Sequence, residues 1–380
     1  MIKKDRLRKT FVSLVKIDSE SRAEKKIARR LSGILERLGG NVREDRAARR
    51  VEGDCNNMVA RFGRRGPFLM LNAHMDTVKP GKGVKPIVKG DIIKSDGSTV
   101  LGADCKSGIA IILEVLRSIK EDRGAINGVE VVFTVAEEIG LMGAKNIDRK
   151  LLKSKTGFAL DSLRPETVID SAPAANRIHI DIHGLESHAG MAPEKGISAV
   201  VIAADAVNSM KLGRIDSETT ANIGLIGGGR ATNIVPSHVS LSGEVRSHNK
   251  RKLETRTNSM IEAASKAAKK AARKIDGKIV TPHIEVKVRR DYPVMKVSRN
   301  SQIMKILRKA AKAENMEITV QPGGGGSDAN IFNSMGIETI ILGTGMTDVH
   351  STRESIKISD MVKTAELLQT CVEIFAEGKK

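Results

Sequence analysis

Phe68-Leu-Met-Leu-Asn-Ala-His74-Met-Asp76 is an apolar run that ends on an imidazole and a carboxylate. Its length and composition suit a buried strand, and strand ends are where α/β enzymes hold their chemistry. Side chains alternate along a strand, so His74 and Asp76 point the same way. The carboxylate can then hold one imidazole nitrogen while the other nitrogen binds something. A metal ion is one candidate; a strand-end histidine hydrogen-bonded to a neighbouring aspartate is an equally ordinary structure. How many other acids and histidines close similar strands decides between the two.

Working outward, helix and strand patterns alternate in the manner of a mainly parallel sheet covered by helices. After basic N-terminal helices, strands are expected over 55–62 and 68–74, an apolar helix over 107–119, a strand over 128–135 ending at Glu137-Glu138, and a strand over 157–160 ending at Asp161. Near residue 175 the style changes. Ile178, Ile180 and Ile182 alternate with His179, Asp181 and His183, the period of a strand with one wet face, on which the histidines read as ordinary surface residues. A helix over 196–210, strands over 221–226 and 238–246, a basic helix over 252–274 and a strand over 283–290 complete an α+β unit. Beyond Pro293 a helix over 301–313 and a strand over 338–342 resume the first style. The expected fold is therefore α/β, with a main domain in two parts, 1–174 and 292–380, and a smaller inserted α+β domain, 175–291.

Composition narrows the function. The 380 residues carry 64 Lys+Arg against 45 Asp+Glu, a net charge of +19, which brings polyanion binding into consideration. Aromatic residues make up only 2% and Trp is absent, so a stacking platform for single-stranded nucleic acid is hard to build. The basic clusters (Lys25, Lys26, Arg29, Arg30; Lys266, Lys269, Lys270, Arg273, Lys274) are interleaved with apolar residues at helical spacing, so solvated helix faces are the simpler reading. Nucleic acid is accordingly not expected as a partner. Cys55, Cys105 and Cys371 are too few and too scattered for a disulfide framework or a cysteine zinc module. With no signal-like start and no membrane-length apolar run, a cytoplasmic protein without membrane association is expected.

Further acids answer the opening question. Leu101-Gly-Ala-Asp104-Cys-Lys-Ser-Gly108 sets a carboxylate in a glycine-bounded turn at the start of a helix, where the alternative is a simple N-cap. Adjacent Glu137 and Glu138 repel each other unless a cation or proton lies between them. As neighbours they point apart, so one can ligate a metal while the other holds a water. Asp161 adds a strand-end carboxylate, and Asp348-Val-His350-Ser-Thr-Arg-Glu354 adds a second imidazole. Two histidines and three ligating carboxylates exceed one tetrahedral zinc but suit two ions sharing a carboxylate, with Asp104 as the bridge. Cys105 reads as a small buried thiol. The run Gly323 to Gly326 lacks the Gly-Lys-Ser/Thr ending of a phosphate loop and reads as close backbone packing before a helix capped by Asp328.

The set His74-x-Asp76, Gly-Ala-Asp104-x-Lys, Glu137-Glu138, Asp161 and His350 resembles the co-catalytic zinc metallopeptidases of the M20 family. Ser187-His188-Ala-Gly190, Ala231-Thr-Asn233-Ile-Val-Pro236, Gly243-Glu-Val-Arg246 and Gly326-Ser-Asp328-Ala-Asn330-Ile-Phe most resemble its tripeptidase branch, peptidase T and its relatives. The resemblance implies two Zn2+ per subunit, one on His74, Asp104 and Asp161, the other on Asp104, Glu138 and His350. Co2+ or Mn2+ would suit the same donors. It further implies that Asp76 orients His74 and that Glu137 activates the water. The inserted domain would be a lid that forms a homodimer and carries His188 to the oxyanion. Asn233, Arg246 and Asn330 would touch substrate, with Arg246 on a free α-carboxylate. The activity so implied is aminopeptidase cleavage of short peptides; a carboxypeptidase or N-acyl-amino-acid amidohydrolase is the alternative on the same scaffold.

Overall fold

In a computed structural model describing residues 1–64 and 66–378, the chain forms two compact units, Met1–Ala172 with Met295–Lys380, and Pro173–Val294. The first is built on a nine-stranded sheet. Its centre is parallel: Val129–Thr134, Leu69–His74, Thr156–Ser162 and Glu338–Gly343 lie side by side in that order. Antiparallel strands flank this centre, Met58–Phe62 and Asn41–Glu44 on one side, Thr167–Ala172 and Met295–Lys296 on the other. Thr319–Pro322 adds a parallel partner to Thr167–Ala172. The central strands are buried along nearly their whole length, as two covered faces require.

Periodicity explains the covering helices. Lys25–Arg37 buries Ile27, Leu31, Ile34 and Leu35 and exposes Lys25, Lys26, Arg29 and Arg30, the arrangement of an amphipathic surface helix. Ala103–Arg123 is different, buried over most of its length and packed on Leu69–His74 and Thr156–Ser162. Gly108 permits the approach: a Cβ there would lie 2.5 Å from the Leu160 carbonyl oxygen. The helix is longer than the expected 107–119, but Asp104 and Cys105 have non-helical dihedral angles, so regular helix begins after them.

A small four-stranded sheet of Met346–Thr347, Ser355–Lys357, Ile92–Lys94 and Ile87–Lys89 is not legible in the sequence, because its two- and three-residue strands are too short to show a period. A terminal helix, Ile358–Glu377, was likewise not expected.

The second unit is a five-stranded antiparallel sheet in the order Gly213–Asp216, Thr219–Gly228, His238–Ser247, Ala174–His183, His283–Tyr292. Ile178, Ile180, Ile182, Val239 and Leu241 form one core with the buried sides of helices Ala199–Ser209 and Lys250–Lys270. The basic helix expected to reach residue 274 stops at Lys270. A hairpin, Arg273–Ile275 with Lys278–Val280, follows it, turning at Asp276-Gly277, both at positive φ. Asp-Gly is a two-residue hairpin signal. The two units have separate hydrophobic cores. Ala172 and Met295, the last and first residues of the flanking segments of the first unit, are paired across an antiparallel ladder.

Candidate metal centre

The parallel strands carry their chemistry where they end. Leu69–His74 ends on His74, Val129–Thr134 runs on to Glu137 and Glu138, and Thr156–Ser162 bears Asp161 at its penultimate position. His350 comes from elsewhere: its loop joins Met346–Thr347 to Ser355–Lys357 of the small sheet. Ala136, Asp348 and His350 have positive φ values of 49°, 50° and 61°. Non-glycine residues held in the left-handed region mark sites whose surroundings impose the backbone.

Asp104 joins two groups of side chains. Its Oδ1 lies 2.9 Å from His74 Nε2, which is 3.7 Å from Asp161 Oδ1. Its Oδ2 lies 3.3 Å from His350 Nε2, which approaches Glu138 Oε1 and Oε2 at 3.1 and 2.9 Å. Donor atoms of His74, Asp104, Cys105 and Asp161 fall within 4.8 Å of one another, as do those of Asp104, Glu138 and His350. Cys105 is otherwise engaged, its thiol donating to the Leu160 carbonyl at 2.7 Å. Asp104, Glu137, Glu138, Asp161 and His350 all open on one cavity of about 350 Å³, closed on another side by the Gly323 to Gly326 run.

The electrostatics of this cavity favour a cation. Burial works against the Asp104 carboxylate, yet hydrogen bonds from His350 and His74 outweigh it and hold it well below the ordinary carboxylate range. Burial first, then Asp104, push Asp161 up to about 7. Burial raises Glu137 strongly and Glu138 to a lesser extent. Hydrogen bonds to Asp104 and Glu138 pull His350 up to about 10. Clustered acids that resist losing their protons, beside imidazoles that resist giving theirs up, show a pocket short of positive charge. The imidazole and carboxylate donors fit Zn2+ and its neighbours in the first transition row.

Asp76 meets His74 through both its backbone and its side chain. His74 Nδ1 lies 3.0 Å from the backbone carbonyl of Asp76 and 3.4 Å from its carboxylate. The carboxylate also accepts from Ser21 Oγ (2.7 Å), Glu137 N (2.9 Å) and Glu138 N (3.2 Å). Asn330 is fully buried, and its Oδ1 accepts from the Ser327 backbone in a capping box at the start of helix Asp328–Ser334. Ser327 is the cap there, while Asp328 is buried and bonded to Thr134.

His188, Asn233 and Arg246 belong to the second unit. Ser187–His188 pairs with Ile234–Val235, which brings His188 and Asn233 to neighbouring positions; the Asn233 carbonyl accepts from Ala189 N at 2.9 Å. His188 is exposed, and its Nδ1 accepts from the backbone of Gly190 and Met191 at 3.2 and 3.1 Å. Arg246 already holds a carboxylate, that of Glu244, through two hydrogen bonds of 2.8 and 3.1 Å.

Several supporting residues escaped the sequence reading. Glu354, almost fully buried, accepts from Gly102 N at 2.7 Å and Asp104 N at 3.0 Å, fixing the turn that carries Asp104; burial pushes it up to about 7. Its place four residues after His350 was the available signal. Glu24 accepts from Ala136 N at 2.9 Å just before the glutamate pair. Nothing local to Glu24 distinguishes it from a helix-capping acid.

Comparison with known proteins gives consistent results. The profile of peptidase family M20/M25/M40 matches residues 70–374. A tripeptidase from Staphylococcus aureus subsp. aureus Mu50 superposes with a TM-score of 0.92 at 39% identity, covering 99% of this chain and 100% of its own. The aminopeptidase PepT of Bacillus cereus ATCC 10987 gives a TM-score of 0.88 at 38% identity, covering 99% of both chains. An uncharacterized Bacillus subtilis (strain 168) protein, YqjE, is 38% identical over 98% of this chain and 99% of its own. With a continuous match over most of the chain and full-length relatives at this identity, the chain belongs to peptidase family M20/M25/M40.

Proposed function

We propose that this M20 peptidase removes the amino-terminal residue from di- and tripeptides, using two Zn2+ ions and Glu137 as general base. The observation that carries the reading is the placement of Asp104, whose two carboxylate oxygens face different histidines. In this proposal His74, Asp104 and Asp161 hold one ion, and Asp104, Glu138 and His350 the other. Bound there, the ions would polarise the scissile carbonyl and acidify a bound water. Glu137, which lines the same cavity, takes a proton from the attacking water and delivers it to the leaving amine. The similarity to a tripeptidase and to an aminopeptidase supports this choice of substrate.

The second unit supplies the remaining roles in this reading. Because His188 Nδ1 accepts two backbone hydrogen bonds, the ring proton of its neutral form sits on Nε2. A donor at Nε2 is what a developing oxyanion requires. Asn233 would contact the peptide beside it, and Arg246 would exchange the Glu244 carboxylate for the substrate's own. Homodimerisation through this unit, and a cytoplasmic setting in keeping with free Cys55, Cys105 and Cys371, complete the proposal.

Replacing Glu137 by Gln tests it. Metal content should stay unchanged while kcat on a tripeptide falls by roughly 10²–10⁴-fold; retained turnover would overturn the role of Glu137. Rates on peptides with free and blocked amino termini separate the aminopeptidase from a carboxypeptidase or an N-acyl-amino-acid amidohydrolase.

A further inference from the structure

The wet face of the five-stranded sheet concentrates half of the chain's eight histidines. In register across three neighbouring strands, His238 and His283 both pair with His183, one on each side. One step along the ladder, Glu285 stands opposite Asp181, and another step on lies His179. Residues two apart on a strand share a face, so these side chains rise together from the surface opposite the Ile178, Ile180, Ile182 core.

The histidines touch one another. The His183 and His283 rings are stacked, 4.6 Å between centroids and 10° between planes, and the His238 ring lies 5.2 Å from His183 on the other side. Asp181 fixes two of the neighbours, its carboxylate oxygens lying 3.2 Å from His179 Nε2 and 2.9 Å from His238 Nε2. His183 Nε2 is different. It is shielded from solvent and has no hydrogen-bond partner among the described residues; the Glu285 Oε1 that it faces is 3.9 Å away. Donor atoms of His183, His283 and Glu285 lie within 4.8 Å of one another. A shielded nitrogen that is left unbonded within reach of a second imidazole and a carboxylate is unusual, since buried polar atoms are nearly always satisfied.

We propose that His183, His283 and Glu285 form a binding site for a divalent first-row transition-metal ion, composed wholly of residues of the second unit. Two imidazoles and a carboxylate are borderline donors that suit Zn2+, Ni2+ or Cu2+ better than Mg2+ or Ca2+. Bonds near 2.0–2.1 Å place tetrahedral ligand atoms roughly 3.4 Å apart, so modest rotamer changes close the set around an ion. Water completes the coordination, or His238 does after leaving Asp181. An ion here ties His283–Tyr292, an edge strand, to its neighbour Ala174–His183. The site would therefore stabilise the margin of this sheet and take no part in hydrolysis.

The test compares the intact enzyme with the double variant His183→Ala/His283→Ala, each equilibrated with buffered Zn2+ and counted by elemental analysis. The wild type should hold about one more zinc per chain than the variant, with equal turnover of a tripeptide by both. Crystals of the zinc-loaded wild type should show an anomalous difference peak between His183, His283 and Glu285 at the zinc edge. Equal zinc counts with no such peak would sink the proposal, whatever metals His74 and His350 bind. The crystallographic arm decides the matter even if the double variant folds poorly.

Discussion

Asp76 serves the site with two chemically distinct parts. Its backbone carbonyl lies 3.0 Å from His74 Nδ1, where a ring N–H would donate to it, while Nε2 on the other side of the ring lies 2.9 Å from Asp104 Oδ1. Its carboxylate gathers the backbone N–H groups of Glu137 and Glu138 and the Ser21 hydroxyl. Asp76→Ala removes only the second part. Zinc affinity, read by competition with a chromophoric chelator, should fall roughly 10–100-fold without being abolished, and turnover should fall further because the Glu137 backbone loses its anchor. Unchanged affinity and turnover would contradict this division. His74 and Asp76 were legible as a pair from their spacing, but the carbonyl contact was not, because every residue type at position 76 offers the same backbone oxygen. The capping box of Asn330 was hidden for a related reason: the motif around it is visible, whereas the bonds of the box exist only once the helix has formed.

Among the elements, the helix Ala103–Arg123 and the strand Thr156–Ser162 set the position of Asp104 relative to Asp161. Their close approach depends on Gly108, whose added Cβ would meet the Leu160 carbonyl oxygen at 2.5 Å and the Leu160 Cβ at 2.9 Å. Both contacts involve the residue just before Asp161, so Gly108→Ala must shift either helix or strand. A stability loss of about 1–3 kcal/mol, measured by denaturant unfolding, is expected from overpacking, together with weaker metal binding; a variant as stable as wild type would show that the helix yields freely. The long central strands were legible because burial on both faces writes continuous apolar runs. The strands presenting His350 were not, since two or three residues carry no period, and the Asp276-Gly277 turn was obscured by basic residues that continue a helical composition past Lys270.

For the whole molecule, the change from two-faced to one-faced strands near residue 175 was the readable sign of a second unit, because a sheet with one wet face alternates and a covered sheet does not. The net charge of +19 was equally readable but says little of the fold. On helix Lys25–Arg37 it lies on the solvent side, opposite the buried Ile27 and Leu31. The pairing of Ala172 with Met295 has a further consequence. Because the chain departs and returns at adjacent points of one ladder, residues 173–294 amount to a detachable cassette in the coding sequence. Joining Ala172 to Met295 through a short hairpin turn should yield a smaller protein that keeps its own core, unfolds cooperatively and still takes up zinc, yet, if His188 has the role proposed for it, lacks peptidase activity. Calorimetry and metal analysis would check this, and failure to fold would mean that the first core needs the second. If the prediction holds, ancestral genes could have gained, lost or exchanged substrate-handling segments at this one junction without disturbing the metal centre.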